Sequence, residues 1–85
     1  MISIKVLGPG CVNCERVELH AIEAVEQIKS ERPKFEVTIE KIKDPEVYSE
    51  YGLLATPGLV INEQLVSGGR IPSSNEIVTW IEKSS

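Results

Sequence analysis

The stretch ISIKVLGPGCVNC, residues 2–14, carries a strand, a break and a helix start in immediate succession. Ile2 to Leu7 is β-branched and mostly apolar, as a strand covered on both faces is. Gly8-Pro9-Gly10 breaks it, and Cys11 opens the next element. From Cys11 to about Arg32, Val17, Ala21, Ile22, Val25 and Ile28 recur at helical spacing. Glu15, Glu18, Glu23 and Glu26 are interspersed as a solvated face. Pro33 stops this helix, because the residue before a proline avoids the α region. Cys11 and Cys14 therefore fall at a strand-to-helix junction.

Working outward, Phe35, Val37 and Ile39 alternate with Glu36, Thr38 and Glu40, which predicts a half-exposed strand at a sheet edge. Asp44 followed by Pro45 reads as an N-cap with proline at the first helical position. A short helix should run from there to about Tyr51, with Gly52 as its C-cap. Ala55-Thr56-Pro57-Gly58 then leads into the apolar run Leu59 to Ile61. Asn62-Glu63 is a tight turn into Gln64 to Ser67, so these two runs form a hairpin. Gly68-Gly69 ends the sheet. Ser73 or Ser74 caps a last helix, with Glu76 placed for a capping box if Ser73 is the cap. Ile77, Val78 and Ile81, with Trp80, form its buried stripe. The order is βαβαββα, in one domain spanning residues 1–85.

Composition narrows the function classes. Eighty-five residues leave room for one core, and 41% hydrophobic with 26% charged residues is an ordinary globular balance. Nine Lys and Arg against 13 Asp and Glu give a net charge of -4, which speaks against a nucleic-acid partner. The apolar runs are too short to span a bilayer, so no membrane partner is expected. Met1 leads straight into the first strand without a basic n-region, and the expected address is cytoplasmic. The cysteine count is the most telling. Two cysteines three positions apart close almost no loop, so they make a poor structural staple. They are also too few for a closed zinc site, and His20, six residues beyond Cys14, is badly spaced as a third ligand. No metal or cofactor is expected; the pair reads as reactive.

With Gly8-Pro9-Gly10-Cys11-Val12-Asn13-Cys14, Ala55-Thr56-Pro57 and Gly68-Gly69, the chain resembles the thioredoxin superfamily over essentially its whole length. Within it, the chain is most similar to the small "redox-active disulfide" proteins of glutaredoxin size. The resemblance implies a thioredoxin-like α/β fold, a four-stranded mixed sheet with helices on both faces. It implies a thiol–disulfide oxidoreductase acting on protein disulfides, reduced by a flavoprotein of thioredoxin-reductase type, and a monomer. It also implies a cis Thr56-Pro57 bond lying against the cysteines, with the Thr56 backbone offered to an extended substrate segment. Gly68-Gly69 would form a further wall of the substrate groove with Arg70 at its rim, and Gly10, Val12 and Asn13 would flank the nucleophile.

The site physics gives the two thiols different roles. A thiolate is the attacking species, and a helix N-terminus favours negative charge, so Cys11 is the expected nucleophile. Cys14, one turn further in, should be less exposed and resolve the mixed disulfide. Gly8 and Gly10 permit the sharp chain path and keep the approach to Cys11 open.

Several departures from the family pattern stand out. Thioredoxins place Trp before the first cysteine and Gly-Pro between the two; this chain has Gly10 and Val12-Asn13. The buried acid six positions before the first cysteine is Lys5 here, whose ammonium would either favour the thiolate or pair with an acid such as Glu40 on the neighbouring strand. Glutaredoxins place a lysine where Gly8 stands and an acid after their Gly-Gly, where this chain has Arg70-Ile71-Pro72-Ser73-Ser74. A protein dithiol partner is therefore favoured over glutathione. Two other readings use the same residues: a soft-metal module holding Cu(I) between the thiolates, or a redox-inactive adaptor. Small heavy-metal-associated domains run βαββαβ and end on a strand, whereas this chain ends on a helical pattern. His20 is expected at the surface, Trp80 in the core, and Tyr48 and Tyr51 as packing residues.

Overall fold

The computed structural model describes residues 2–84, so Met1 and Ser85 of the expected 1–85 domain lie outside the described residues. The elements are β1 (Ile2–Leu7), α1 (Val12–Glu31), β2 (Val37–Ile42), α2 (Pro45–Glu50), β3 (Gly58–Ile61), β4 (Gln64–Gly68) and α3 (Ser74–Ser84). They form one four-stranded sheet in the order β2-β1-β3-β4. β1 and β2 are parallel, joined through α1, while β1 with β3 and β3 with β4 are antiparallel. This is the expected thioredoxin-like mixed sheet.

β1 is central, and alternation sends its residues to opposite faces. Ile2, Ile4 and Val6 join Leu59 and Ile61 of β3, Val17, Ala21, Ala24, Val25 and Ile28 of α1, and Ile77 and Ile81 of α3 in one core. Ile22, expected on the buried stripe, is 38% exposed. It sits about 100° around the helix from Ala21, off the centre of the stripe, and Ala24 takes the buried place instead. Trp80 is half-buried at the core margin rather than inside it.

β2 starts at Val37, two residues later than the alternation suggests, and continues to Ile42. The Phe35 N–H bonds the Arg32 carbonyl at 3.0 Å and closes the turn after α1. Pairing then runs the whole length of β1, from Ile2 opposite Val37 to Leu7 opposite Ile42. β2 is an edge strand, as its polar alternation implies. The β3–β4 turn holds Asn62 and Glu63 at φ of 50° and 67°, the left-handed pair that a two-residue hairpin requires. Asn62 also fastens the turn to β1: it donates from its backbone to the Ser3 carbonyl at 2.8 Å, and its Oδ1 accepts the Ser3 N–H at 3.0 Å.

The opposite sheet face carries a thinner cover. α2, capped by Asp44 and started by Pro45, buries none of its residues. Leu53 covers this face beyond α2. Gly58 and Gly68 are opposite each other across the β3–β4 ladder. A Cβ on Gly58 would lie 2.7 Å from both Leu53 methyls, and one on Gly68 2.8 Å from Leu53 Cδ1. Two facing glycines thus make the seat that one leucine fills. At the far end, Ser73 caps α3: its Oγ accepts the Glu76 N–H at 3.2 Å, while Glu76 Oε1 accepts the Ser73 N–H at 3.3 Å. Among the described residues no helix is long and apolar enough to cross a membrane.

Candidate functional site

The cysteine pair sits where β1 hands over to α1. Leu7 is fully buried at the end of the central strand, and Gly8 is buried after it. Pro9 and Gly10 then bring the chain to the surface, Gly10 in the left-handed region at φ 91°. Gly8 serves packing rather than access to Cys11, because a Cβ there would collide with Cys14 Sγ and lie 3.9 Å from Pro57 Cα. Gly8, Cys14 and Pro57 therefore converge.

Cys11 is the N-cap of α1, with extended backbone (φ -74°, ψ 169°), and it is exposed. Its Sγ accepts the Cys14 N–H at 3.3 Å and lies 2.7 Å from Cys14 Sγ. A sulfur thus takes the place that a serine or aspartate oxygen usually fills at a helix start. Cys14 is buried, 3% exposed. The two thiols are pushed in opposite directions. The Cys14 thiol, followed by the Cys14 backbone N–H, holds the Cys11 thiol below the ordinary range. Burial, followed by the hydrogen bond to Cys11, pushes the Cys14 thiol up. In the reduced pair, one sulfur is poised to carry the negative charge and the other to keep the proton.

Val12 and Asn13 form the exposed first turn beside Cys11. The Thr56-Pro57 peptide bond is cis, with Thr56 exposed and Pro57 buried. Gly69, at φ 74°, donates its N–H to the Pro57 carbonyl at 2.9 Å, so Gly68-Gly69 closes the proline loop from the β4 side. Beside that loop an open cleft of about 230 Å³ is lined by Gly52, Leu53, Leu54, Ala55, Leu65 and Gly68. Arg70 is brought to α3: its guanidinium makes a paired contact with the Glu76 carboxylate, 2.7 Å at the closer oxygen, and lies 5.9 Å from the Trp80 ring centre.

Lys5 corrects the sequence reading. Glu40 is its register partner on β2, yet the ammonium turns to Glu63 at 2.8 Å and to the Tyr51 hydroxyl at 2.9 Å. The Tyr51 hydroxyl donates in turn to the other Glu63 oxygen at 2.5 Å. The hairpin turn places Glu63 within reach of Lys5, which sequence distance hides. The Glu63 and Tyr51 bonds raise the Lys5 ammonium above its ordinary range and the Lys5 bond lowers Glu63. The largest effects on the two thiols come from each other, backbone N–H groups and burial.

Three features near the site had no sequence signal. Tyr48 reaches back from α2 to donate to the Ile42 carbonyl at 3.2 Å, and burial, then the nearby Cys14, raises its hydroxyl pKa. Leu54, wholly exposed at the cleft, follows from no periodicity. Lys43 comes to the Gly10 turn from the β2–α2 junction. His20 pairs its Nδ1 with the Pro72 carbonyl at 2.9 Å, and among the described residues no three His, Cys, Asp or Glu side chains gather as a metal-ligand group.

Comparison with known proteins agrees with this architecture. The family model described as "Thioredoxin domain" matches residues 2–82. The thioredoxin of Methanothermobacter thermautotrophicus is 38% identical over 77 residues, covering 91% of this chain and 94% of that protein. The thioredoxin of Methanocaldococcus jannaschii is 30% identical over 77 residues, covering 91% of this chain and 83% of that protein. Human ERp44 in a zinc-bound form shares the fold at a TM-score of 0.65 and 16% identity; the match covers 96% of this chain and 26% of the larger one. A match to nearly every residue from β1 to α3, with both cysteines at the first strand-to-helix junction, leads to one conclusion: the chain belongs to the thioredoxin domain family.

Proposed function

We propose that this protein is a thiol–disulfide oxidoreductase in which Cys11 attacks a protein disulfide and Cys14 resolves the adduct. The observation that carries the reading is the asymmetry of the pair. Cys11 is exposed with its Sγ at a helix N-cap, whereas Cys14 is buried 2.7 Å behind it. The Cys11 thiolate bonds to one sulfur of the substrate, and the substrate disulfide breaks with release of a thiolate. Cys14 then loses its proton and attacks Cys11 Sγ, forming the Cys11–Cys14 disulfide and freeing the second substrate thiolate. Two electrons pass to the substrate, and a flavoprotein of thioredoxin-reductase type returns them.

Thr56 and Pro57, with Gly10, Val12, Asn13, Gly68 and Gly69, flank the path of an extended substrate segment, and Leu54 and Leu65 offer apolar contact beside it. Arg70 serves the α3 cap in this reading, rather than the groove. The protein works as a monomer in the cytoplasm, where thiols are kept reduced, and without nucleic acid or a bound cofactor. The test is a protein-disulfide reduction assay on single variants. Cys11→Ser should abolish turnover, and Cys14→Ser should accumulate a mixed disulfide on Cys11. Wild-type turnover in both variants would refute the mechanism. One-to-one Cu(I) binding that resists a thiol competitor, with no disulfide reduction, would favour the soft-metal alternative.

A further inference from the structure

Lys43 stands between β2 and α2, 32 positions after Cys11 in the chain, and the exchange chemistry above makes no use of it. A Cβ placed on Gly10 would nevertheless lie 3.6 Å from both Cε and Nζ of Lys43. The ammonium therefore rests against the turn that presents the nucleophile. Its base is fixed by the fold. The carbonyl of Ile42, the preceding residue, accepts the Gly8 N–H at 3.0 Å and the Tyr48 hydroxyl at 3.2 Å. One of those bonds comes from the cysteine loop itself, so the Lys43 segment and the Cys11 turn are held together.

The charge of Lys43 is also uncommitted. The ion pairs among the described residues engage Lys5, Arg32, Lys41 and Arg70, and none engages Lys43. Asp44, its chain neighbour, turns its Oδ1 to the Glu46 N–H at 3.0 Å as the α2 cap. Gly10 contributes no side chain that could shield the ammonium, and both residues are exposed. Lys43 is thus an exposed cation outside those ion pairs, beside the nucleophile's turn, in a protein of net charge -4.

We infer that Lys43 is a specificity-determining residue of the exchange site, selecting protein segments that carry a carboxylate next to the scissile disulfide. The inference rests on Cys11 being the attacking group. In the encounter complex the carboxylate pairs with the Lys43 ammonium, which seats the neighbouring half-cystine over Cys11 Sγ. Bond making and breaking are those of the exchange itself, and the carboxylate is neither oxidised nor reduced.

The test uses two synthetic peptides, each closed by one disulfide and differing only in Asp or Asn beside a half-cystine. The ratio of kcat/KM values, Asp over Asn, is the readout, because a merely structural defect lowers both rates together. Wild-type protein at low salt should prefer the Asp peptide by about two- to fivefold, the ratio one exposed ion pair supports. The preference should fade at about 1 M salt, where charges are screened within about 3 Å. Lys43→Ala should bring the ratio close to one, Lys43→Glu should invert it, and Lys43→Arg should retain it. An Asp preference that persists in Lys43→Ala, or a wild-type preference for Asn as the overall charge alone would give, overturns the inference while leaving the exchange mechanism intact. A wild-type protein that reduces neither peptide overturns the exchange mechanism, and the Lys43 assignment falls with it.

Discussion

Replacing Gly8 by Ala adds a single methyl at the point where the fold and the thiol chemistry meet. The new Cβ would overlap Cys14 Sγ, lie 3.3 Å from Cys14 Cβ and 3.9 Å from Pro57 Cα. Cys14 is on a helix whose buried face is packed against the sheet, and Pro57 is itself buried, so neither yields freely. Inserting a methyl group into such a site costs about 1–3 kcal/mol. For a domain of this size each kcal/mol moves Tm by about 4–8 °C, so a fall of roughly 5–20 °C is expected. The second effect is chemical. Relief of the clash moves the Cys14 sulfur away from its 2.7 Å contact with Cys11 Sγ, the largest influence holding the Cys11 thiol down. The Cys11 pKa should then rise toward the ordinary thiol value of about 8.5. Thermal unfolding reads the first effect, and the pH profile of Cys11 alkylation by iodoacetamide reads the second. Gly52→Ala is the control: Gly52, unlike Gly8, occupies a left-handed position, at φ 79°, and no atom lies within 4 Å of its added Cβ. It should cost about 1–2 kcal/mol of backbone strain and leave the alkylation profile in place. If Gly8→Ala keeps both the wild-type Tm and the wild-type alkylation profile, the packing account of Gly8 is wrong.

The remaining predictions test the frame around the site. Ile4, fully buried in the central strand, should lose about 2–5 kcal/mol on replacement by Ala, measured by denaturant unfolding. Ser73→Ala removes the oxygen that accepts the Glu76 N–H and should cost about 1 kcal/mol, seen as a lower Tm. Glu63 has its pKa lowered by Lys5 and Tyr51, so its contribution is present above the ordinary carboxylate pKa of about 4.3 and is lost as pH falls through the lower folded value. Glu63→Gln should therefore unfold less steeply with acid in that window than the wild type; an identical acid dependence of Tm would contradict the pairing.

Local signals account for what was legible beforehand. The strand from Ile2, the Gly-Pro-Gly break, the Asp44-Pro45 helix start, the Asn62-Glu63 turn and the Ser73–Glu76 capping box each depend on residues a few positions apart. Their side-chain and backbone preferences act before tertiary packing does. The placement of Cys11 at a helix start follows in the same way. The boundary of β2 was less legible, because strand length was set by pairing with β1 rather than by its own alternation. Ile22 shows the same limit on α1: helical spacing marks an apolar stripe but not where neighbouring elements stop covering it.

Sequence alone thus determined the element order, the caps and turns, and the position of two thiols at the first strand-to-helix junction. Tertiary structure decided what those thiols and their neighbours touch. It buried Cys14 against Gly8 and Pro57, took Lys5 from its register partner Glu40 to Glu63, seated Leu53 over two facing glycines, and carried Lys43 to the Gly10 turn. The physical reason is range. Backbone preferences and capping bonds act over about one helical turn or one β-turn, whereas burial, ion pairing and thiol acidity depend on groups that only the closed sheet brings within a few ångströms.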